Sequence, residues 1–199
     1  MQTPFDYDVI IIGSGAAGLT SALLMPDHFQ IAVFSKHRLT AGSTYGAQGG
    51  VAAVLDQAGD SIEQHISDTL IAGAGLCHEP AVRHIVENGR ASIEWLIEQG
   101  VPFTEDNDQQ RPYEFHLTRE GGHSSRRIIH AADATGQAIS NTLLEQAENK
   151  ANIDLYENHL AIDLITTSKL GMNDNRCAGT YFLNLDTDHT QVFRSRCTI

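Results

Sequence analysis

The sequence predicts an α/β fold with a parallel sheet, and three observations carry that reading. A β-branched run, Tyr7-Asp-Val-Ile-Ile-Ile12, is bounded by Gly13. A stretch of small and apolar residues at helical spacing follows it. A second apolar run, Gln30-Ile-Ala-Val-Phe-Ser35, comes next. Strand, helix and strand in this order, within about 35 residues, make a β-α-β unit of Rossmann-like type.

Each element has its own reason. Tyr7–Ile12 lacks the alternation of a half-exposed strand, so it reads as a buried strand of a parallel sheet. Gly15–Met25 reads as a helix stopped by Pro26. Residues 36–59 hold no sustained period and carry glycines at 42, 46, 49, 50 and 59, which predicts a long binding loop with at most one helical turn. A helix is expected over Ser61–Ala74, with Ile62, Ile66, Leu70 and Ile71 inward. Another is expected over Pro80–Gln99, with Val82, Ile85, Val86, Ile93, Leu96 and Ile97 on its buried face and Gly100 as its C-cap. Residues 101–127 are polar and irregular. Thr135–Lys150 returns to helix, with Ile139, Leu143 and Ala147 in register. Ile153–Tyr156 and His159–Thr167 read as strands, and Arg176–Asp186 and Gln191–Ile199 as a hairpin.

Composition narrows the function. Thirteen Lys and Arg against 25 Asp and Glu give a net charge of −12, which disfavours a nucleic-acid partner. No apolar run reaches the ~18 residues of a membrane span, and no secretory leader pattern opens the chain, so a cytoplasmic protein is expected. Cys77, Cys177 and Cys197 form no disulfide or zinc pattern. Cys77-His78 has no second pair at ligand spacing, so no metal is expected.

Gly13-Ser14-Gly15-Ala16-Ala17-Gly18 fits G-x-G-x-x-G between strand and helix. Gly13 permits the turn, Gly15 lets backbone approach a pyrophosphate, and Gly18 lets helix and strand pack closely. The helix N-terminus then offers free N–H groups and a positive dipole end. The acid usual at the end of the second strand is replaced by Ser35, an uncharged hydrogen-bonding group beside Lys36. A second glycine segment, Gly42-Ser43-Thr44-Tyr45-Gly46-Ala47-Gln48-Gly49-Gly50, offers hydroxyls, an amide and bare backbone suited to a flat polar ring system.

These two segments, followed by His116-Leu-Thr-Arg-Glu-Gly-Gly-His-Ser124 and His130-Ala-Ala-Asp-Ala-Thr-Gly136, occur in one order. Together they resemble the succinate dehydrogenase/fumarate reductase flavoprotein family, over essentially the whole chain. The His116–Ser124 run, with Asp68–Gly75, is similar to the branch that oxidises L-aspartate to iminoaspartate. The resemblance implies a Rossmann-like FAD-binding domain with the start of a capping region. It implies bound FAD, oxygen or fumarate as electron acceptor, a place in NAD biosynthesis, and quinolinate synthase as recipient of the short-lived imine.

It also implies residue roles. Ser14, Gly15, Ala16 and Ala17 line the pyrophosphate. Lys36 lies at the adenosine end. Ser43 to Gly50 run along the flavin, and Ala161 meets adenine through its backbone. Glu120 matches the glutamate facing the substrate amine, where a carboxylate favours an amino acid over succinate; the alternative is a loop salt bridge with Arg119, Arg126 or Arg127. Ser43 stands where succinate dehydrogenases bond the flavin through histidine, so FAD is expected to be non-covalent. A soluble fumarate reductase is the second reading, and Glu120 with Thr118-Arg119 argues against it.

Phe193–Ile199 alternates as a half-buried strand. Residues 1–199 are therefore expected to be the N-terminal part of a longer enzyme. The family's second glycine-rich flavin segment, capping domain, proton-handling arginine and C-terminal helical domain lie outside them, so no catalytic base is assigned. Arg126 and Arg127 could steer an acidic substrate or balance nearby acids. His116, His123 and His130 cluster near the arginine-rich loop; the resemblance favours a structuring over a catalytic role for His123 and His130, while Asp133 is expected to make structural hydrogen bonds and His28, His37 and His189 to be solvated.

Overall fold

The computed structural model describes residues 6–106 and 113–199. The chain forms two compact units, residues 1–46 with 140–199, and residues 47–139.

The first unit is built on a six-stranded sheet. Its strands are β1 (Tyr7–Ile12), β2 (Ile31–Phe34), β6 (Ile153–Tyr156), β7 (His159–Thr166), β8 (Cys177–Asn184) and β9 (His189–Thr198). They lie in the order β6-β2-β1-β9-β8-β7. The first four strands are parallel, with Ile10 opposite Ala32 and Thr198, and Phe34 opposite Tyr156. β7, β8 and β9 are antiparallel, and the predicted hairpin is β8 and β9. Burial agrees with the parallel reading: Val9, Ile10, Ile11 and all of β2 are shielded from solvent.

Helix α1 (Ala16–Leu24) joins β1 to β2 and buries Leu19 and Ala22. Phe34 stacks on Phe182 of β8, ring centroids 3.9 Å apart, and on Tyr156 at 4.6 Å. Phe193 meets this stack edge-on, which makes an aromatic core near the carboxyl end of β2. A four-residue turn, α2 (Ser43–Gly46), is the one helical turn expected in the glycine loop.

The second unit holds α3 (Ile62–Ala72), α4 (Glu79–Glu98) and a small antiparallel sheet in the order β3-β5-β4. Those strands are β3 (Val51–Ala52), β4 (Leu117–Thr118) and β5 (Ile128–Ile129). Ser61 caps α3 by accepting from the Gln64 amide at 3.2 Å. α4 ends on Gln99, and Gly100 follows at φ +97°, the left-handed stop read from the sequence. Helix α5 (Thr135–Glu148) carries the chain back to the first unit. Two predicted core positions are corrected. Ile71 is 75% and Ile85 70% exposed, while Ile66, Val86 and Ile93 are buried. Helical period identifies a face, and the packed stripe here is narrower than the apolar one.

Candidate functional site

The carboxyl ends of parallel strands are where α/β sheets bind ligands. At the ends of β1 and β2 lies a cavity of about 580 Å³. Gly13, Ser14, Gly15, Ala16, Ala17, Ser35, Lys36, Ser43, Thr44 and Ala161 all line it. Segments as far apart in sequence as Gly13 and Ala161 therefore meet at one place. Gly18 does not line the cavity. A Cβ there would run into the Gly13 carbonyl and crowd Ile11, so its task is helix–strand packing, as expected. Gly13 has φ +127°, a conformation that side chains resist.

The cavity fits a dinucleotide at its phosphates. Gly15 is the N-cap of α1 and brings no side chain to cap it. The Ala16 N–H donates to Thr44 Oγ1 at 3.2 Å. The amides of Ala17 and Gly18 have no hydrogen-bond partner among the described residues. Free N–H groups at a helix start are an anion site. The buried Ser14 hydroxyl donates to the Leu39 carbonyl at 2.8 Å, which fixes the glycine loop to the segment after β2. Ser35 has turned its hydroxyl to the Arg38 carbonyl, at 3.1 Å.

Ser43 and Thr44 reach the cavity, whereas Tyr45 and Gly46 complete the α2 turn. Ala47, Gln48, Gly49 and Gly50 belong to the second unit. Their glycines sort into two kinds. A Cβ at Gly46 or Gly49 would meet no protein atom within 4 Å. At Gly50 it would strike the Ile129 carbonyl and the Ile128 side chain, so Gly50 is required by the pairing of β3 with β5. The Ala47 carbonyl accepts from Gly136 at 3.0 Å, which ties the second glycine segment to the Ala-Thr-Gly start of α5.

Glu120 is exposed in the loop after β4. Its backbone carbonyl accepts from His123, and its carboxylate has no ion pair among the described residues. The salt-bridge alternative for Glu120 is thus not what the structure contains. Arg127 resolves the other way. It is fully buried and bonded to Asp60 through two 2.7 Å hydrogen bonds and to Asp68 at 2.6 Å, so it balances acids and cannot reach a ligand. Burial pushes the Asp68 carboxyl up, but bonds from the Ser124 amide and hydroxyl and from Arg127 outweigh it and hold the pKa at about 2. Arg126 is exposed and bonds the Leu117 carbonyl.

His116 Nδ1 lies 2.9 Å from His130 Nε2, and His123 lies 3.3 Å from Arg127, which suits the structuring role expected of His123 and His130. Asp133 is exposed and makes no side-chain hydrogen bond among the described residues, contrary to expectation. Sequence reasoning missed six cavity residues, Ile12, Phe34, His37, Ala41, His159 and Leu160. His37 was expected to be only solvated. The buried His159 was read as ordinary strand, and only its closeness to Ala161 in sequence could have flagged it.

Comparison with known proteins follows the same lines. The profile of the family described as FAD binding domain matches residues 8–199. The chain is 57% identical to an L-aspartate oxidase of Pseudomonas aeruginosa, across 100% of this chain and 37% of that protein. An L-aspartate oxidase of Acinetobacter baylyi is 54% identical, across 97% of this chain and 35% of its own length. The chain therefore spans little more than a third of the curated relatives it matches. Among solved structures, E. coli quinol fumarate reductase FrdA superposes with a TM-score of 0.85 at 27% identity, over 100% of this chain and 32% of that one. The glycine loop, the cavity it opens on and these likenesses agree: the chain belongs to the FAD-binding domain family of the succinate dehydrogenase/fumarate reductase flavoproteins.

Proposed function

We propose that this chain supplies the FAD-binding part of an enzyme that oxidises L-aspartate to iminoaspartate, passing electrons to oxygen or fumarate in the first step of NAD biosynthesis. The observation that carries the cofactor half is the convergence of the glycine loop, Ser35-Lys36, Ser43-Thr44 and Ala161 on one cavity. The substrate half is supported by the relatives' names and by an exposed Glu120 whose carboxylate has no ion pair among the described residues.

FAD, when bound, supplies the two-electron acceptor that such a dehydrogenation needs. The chain's own residues bind and orient. The Ala17 amide would hold the pyrophosphate at the start of α1, with Ser14 fixing its loop. Lys36 neutralises charge at the adenosine end, and Ala161 presents backbone to adenine. Ser43, Thr44, Tyr45 and Gly46 lead into the flavin segment, and the open backbone at Gly49 accepts close approach of a ring. Ser43 has no imidazole to bond, so FAD is held non-covalently. Glu120 recognises the substrate ammonium. No residue here is assigned as the base. The imine product is short-lived in water and is handed to quinolinate synthase, in the cytoplasm.

The test is oxidation by the full-length protein. FAD-dependent hydrogen peroxide release with aspartate, far above that with succinate, is the expected result. The likeness to FrdA favours a second reading, a soluble fumarate reductase. Faster turnover of the succinate/fumarate pair than of aspartate would select it.

A further inference from the structure

We propose that Glu157 is a positioning residue for FAD, acting from β6 in place of the acid that β2 lacks. The inference rests on FAD being the ligand of the β1–β2 cavity. In most β-α-β dinucleotide sites a carboxylate at the end of the second strand bonds the ribose. Here Ser35 holds that position without charge, and both of its donors are engaged: N–H to Tyr156 O and hydroxyl to Arg38 O, while its carbonyl accepts from His159 N–H. The neighbouring strand carries the charge instead. β6 runs parallel to β2 with Tyr156 opposite Phe34, so Glu157 follows in the same register as Ser35.

Glu157 does not line the cavity. Its Oε1 accepts the Leu39 N–H at 2.8 Å, and the Leu39 carbonyl accepts the Ser14 hydroxyl at 2.8 Å. A single residue thus joins the carboxylate to the phosphate loop. Lys36, His37, Ala41 and Gly42 form the cavity wall on either side of Leu39. Among the described residues, the side chains that bond the backbone of 36–42 are those of Ser14, Ser35 and Glu157, and only Glu157 is charged. A charge-assisted bond to a backbone amide is about twice as strong as a neutral one. The wall and the Ser14 turn are held ready for the dinucleotide by this bond, which lowers the ordering cost of binding.

The experiment is titration of FAD fluorescence against the unaltered protein, Glu157→Ala and Glu157→Gln, with melting of each apoprotein alongside. The Ala variant should bind FAD about tenfold more weakly while its apo melting temperature falls by less than about 3 °C. The Gln variant, whose amide oxygen accepts the same bond without the charge, should recover part of the affinity. Amide hydrogen exchange at Leu39 should quicken in the Ala variant only. Unchanged affinity in the Ala variant overturns the proposal. So does a Gln variant no better than Ala, or affinity loss that merely follows a fall in apo melting. An unaltered protein that binds no FAD overturns the cofactor reading as well, and is recognised because no variant is needed to see it.

Discussion

Arg127 and Asp60 face each other as fork to fork, Nε to Oδ2 and Nη2 to Oδ1, both at 2.7 Å, with neither side chain open to solvent. Asp68 takes the remaining Nη1, at 2.6 Å, and also holds Ser124. The start of α3 and the loop carrying Glu120 are thus pinned to one guanidinium.

Breaking a buried pair by removing one partner strands the other, at a cost of about 3–5 kcal/mol. Arg127→Ala should lower denaturant stability by that amount. Arg127→Lys should restore only part of it, because an ammonium cannot span both Asp60 oxygens. A variant as stable as the parent in urea unfolding would contradict the network's role.

Two adjacent glycines should behave oppositely. Gly50→Ala pushes a methyl into the β5 backbone and should cost about 1–3 kcal/mol as an overpacked site. Gly49→Ala meets no protein atom and should leave melting unchanged while weakening FAD binding. Thermal melts with and without FAD separate the two effects.

Acid should weaken the second unit in two windows. Burial, with Arg127 and His123 nearby, lowers the His65 pKa below its ordinary 6.5. A folded pKa below the unfolded one gives stability that is present above the unfolded value and lost as pH falls through the folded one. His65 therefore costs stability as pH drops below about 6.5, and Asp68 as it drops from 3.8 towards 2. Urea midpoints across pH 7.5 to 3 should decline in both ranges, and His65→Gln should flatten the upper one.

Under the proposed function, Glu120→Gln removes the charge that would face a substrate ammonium. In the full-length protein, KM for aspartate should rise about tenfold, corresponding to roughly 1.4 kcal/mol, with FAD affinity unchanged. Steady-state kinetics beside FAD titration checks both halves, and an unaltered KM would remove Glu120 from substrate recognition.

The β1–α1–β2 unit was legible because its signals are local: an unbroken β-branched run, a glycine fingerprint and a proline stop. The cavity residues nearest the fingerprint came with it. What escaped depends on pairing across long separations. Nothing in the sequence of β9 says that it lies between β1 and β8, and β3, β4 and β5, two residues each, are too short to show a period. Arg126 and Arg127 are chemically identical neighbours, and only folding separates the exposed one from the one enclosed by Asp60 and Asp68. Ile71 and Ile85 failed for a related reason, since a helical stripe does not reveal how far its cover extends.

The place of β9 beside β1 has a consequence for biosynthesis. Tyr7 pairs with Ser195, and Asp6 bonds Arg194 across 188 residues. At synthesis rates of about 5–20 residues per second, the phosphate loop emerges roughly 10–40 s before the strand that completes its sheet on that side. Until then β1 offers an apolar, unpaired edge, and closure over such separations is slow. The nascent chain thus carries its nucleotide signature early, while the sheet that frames it is completed late.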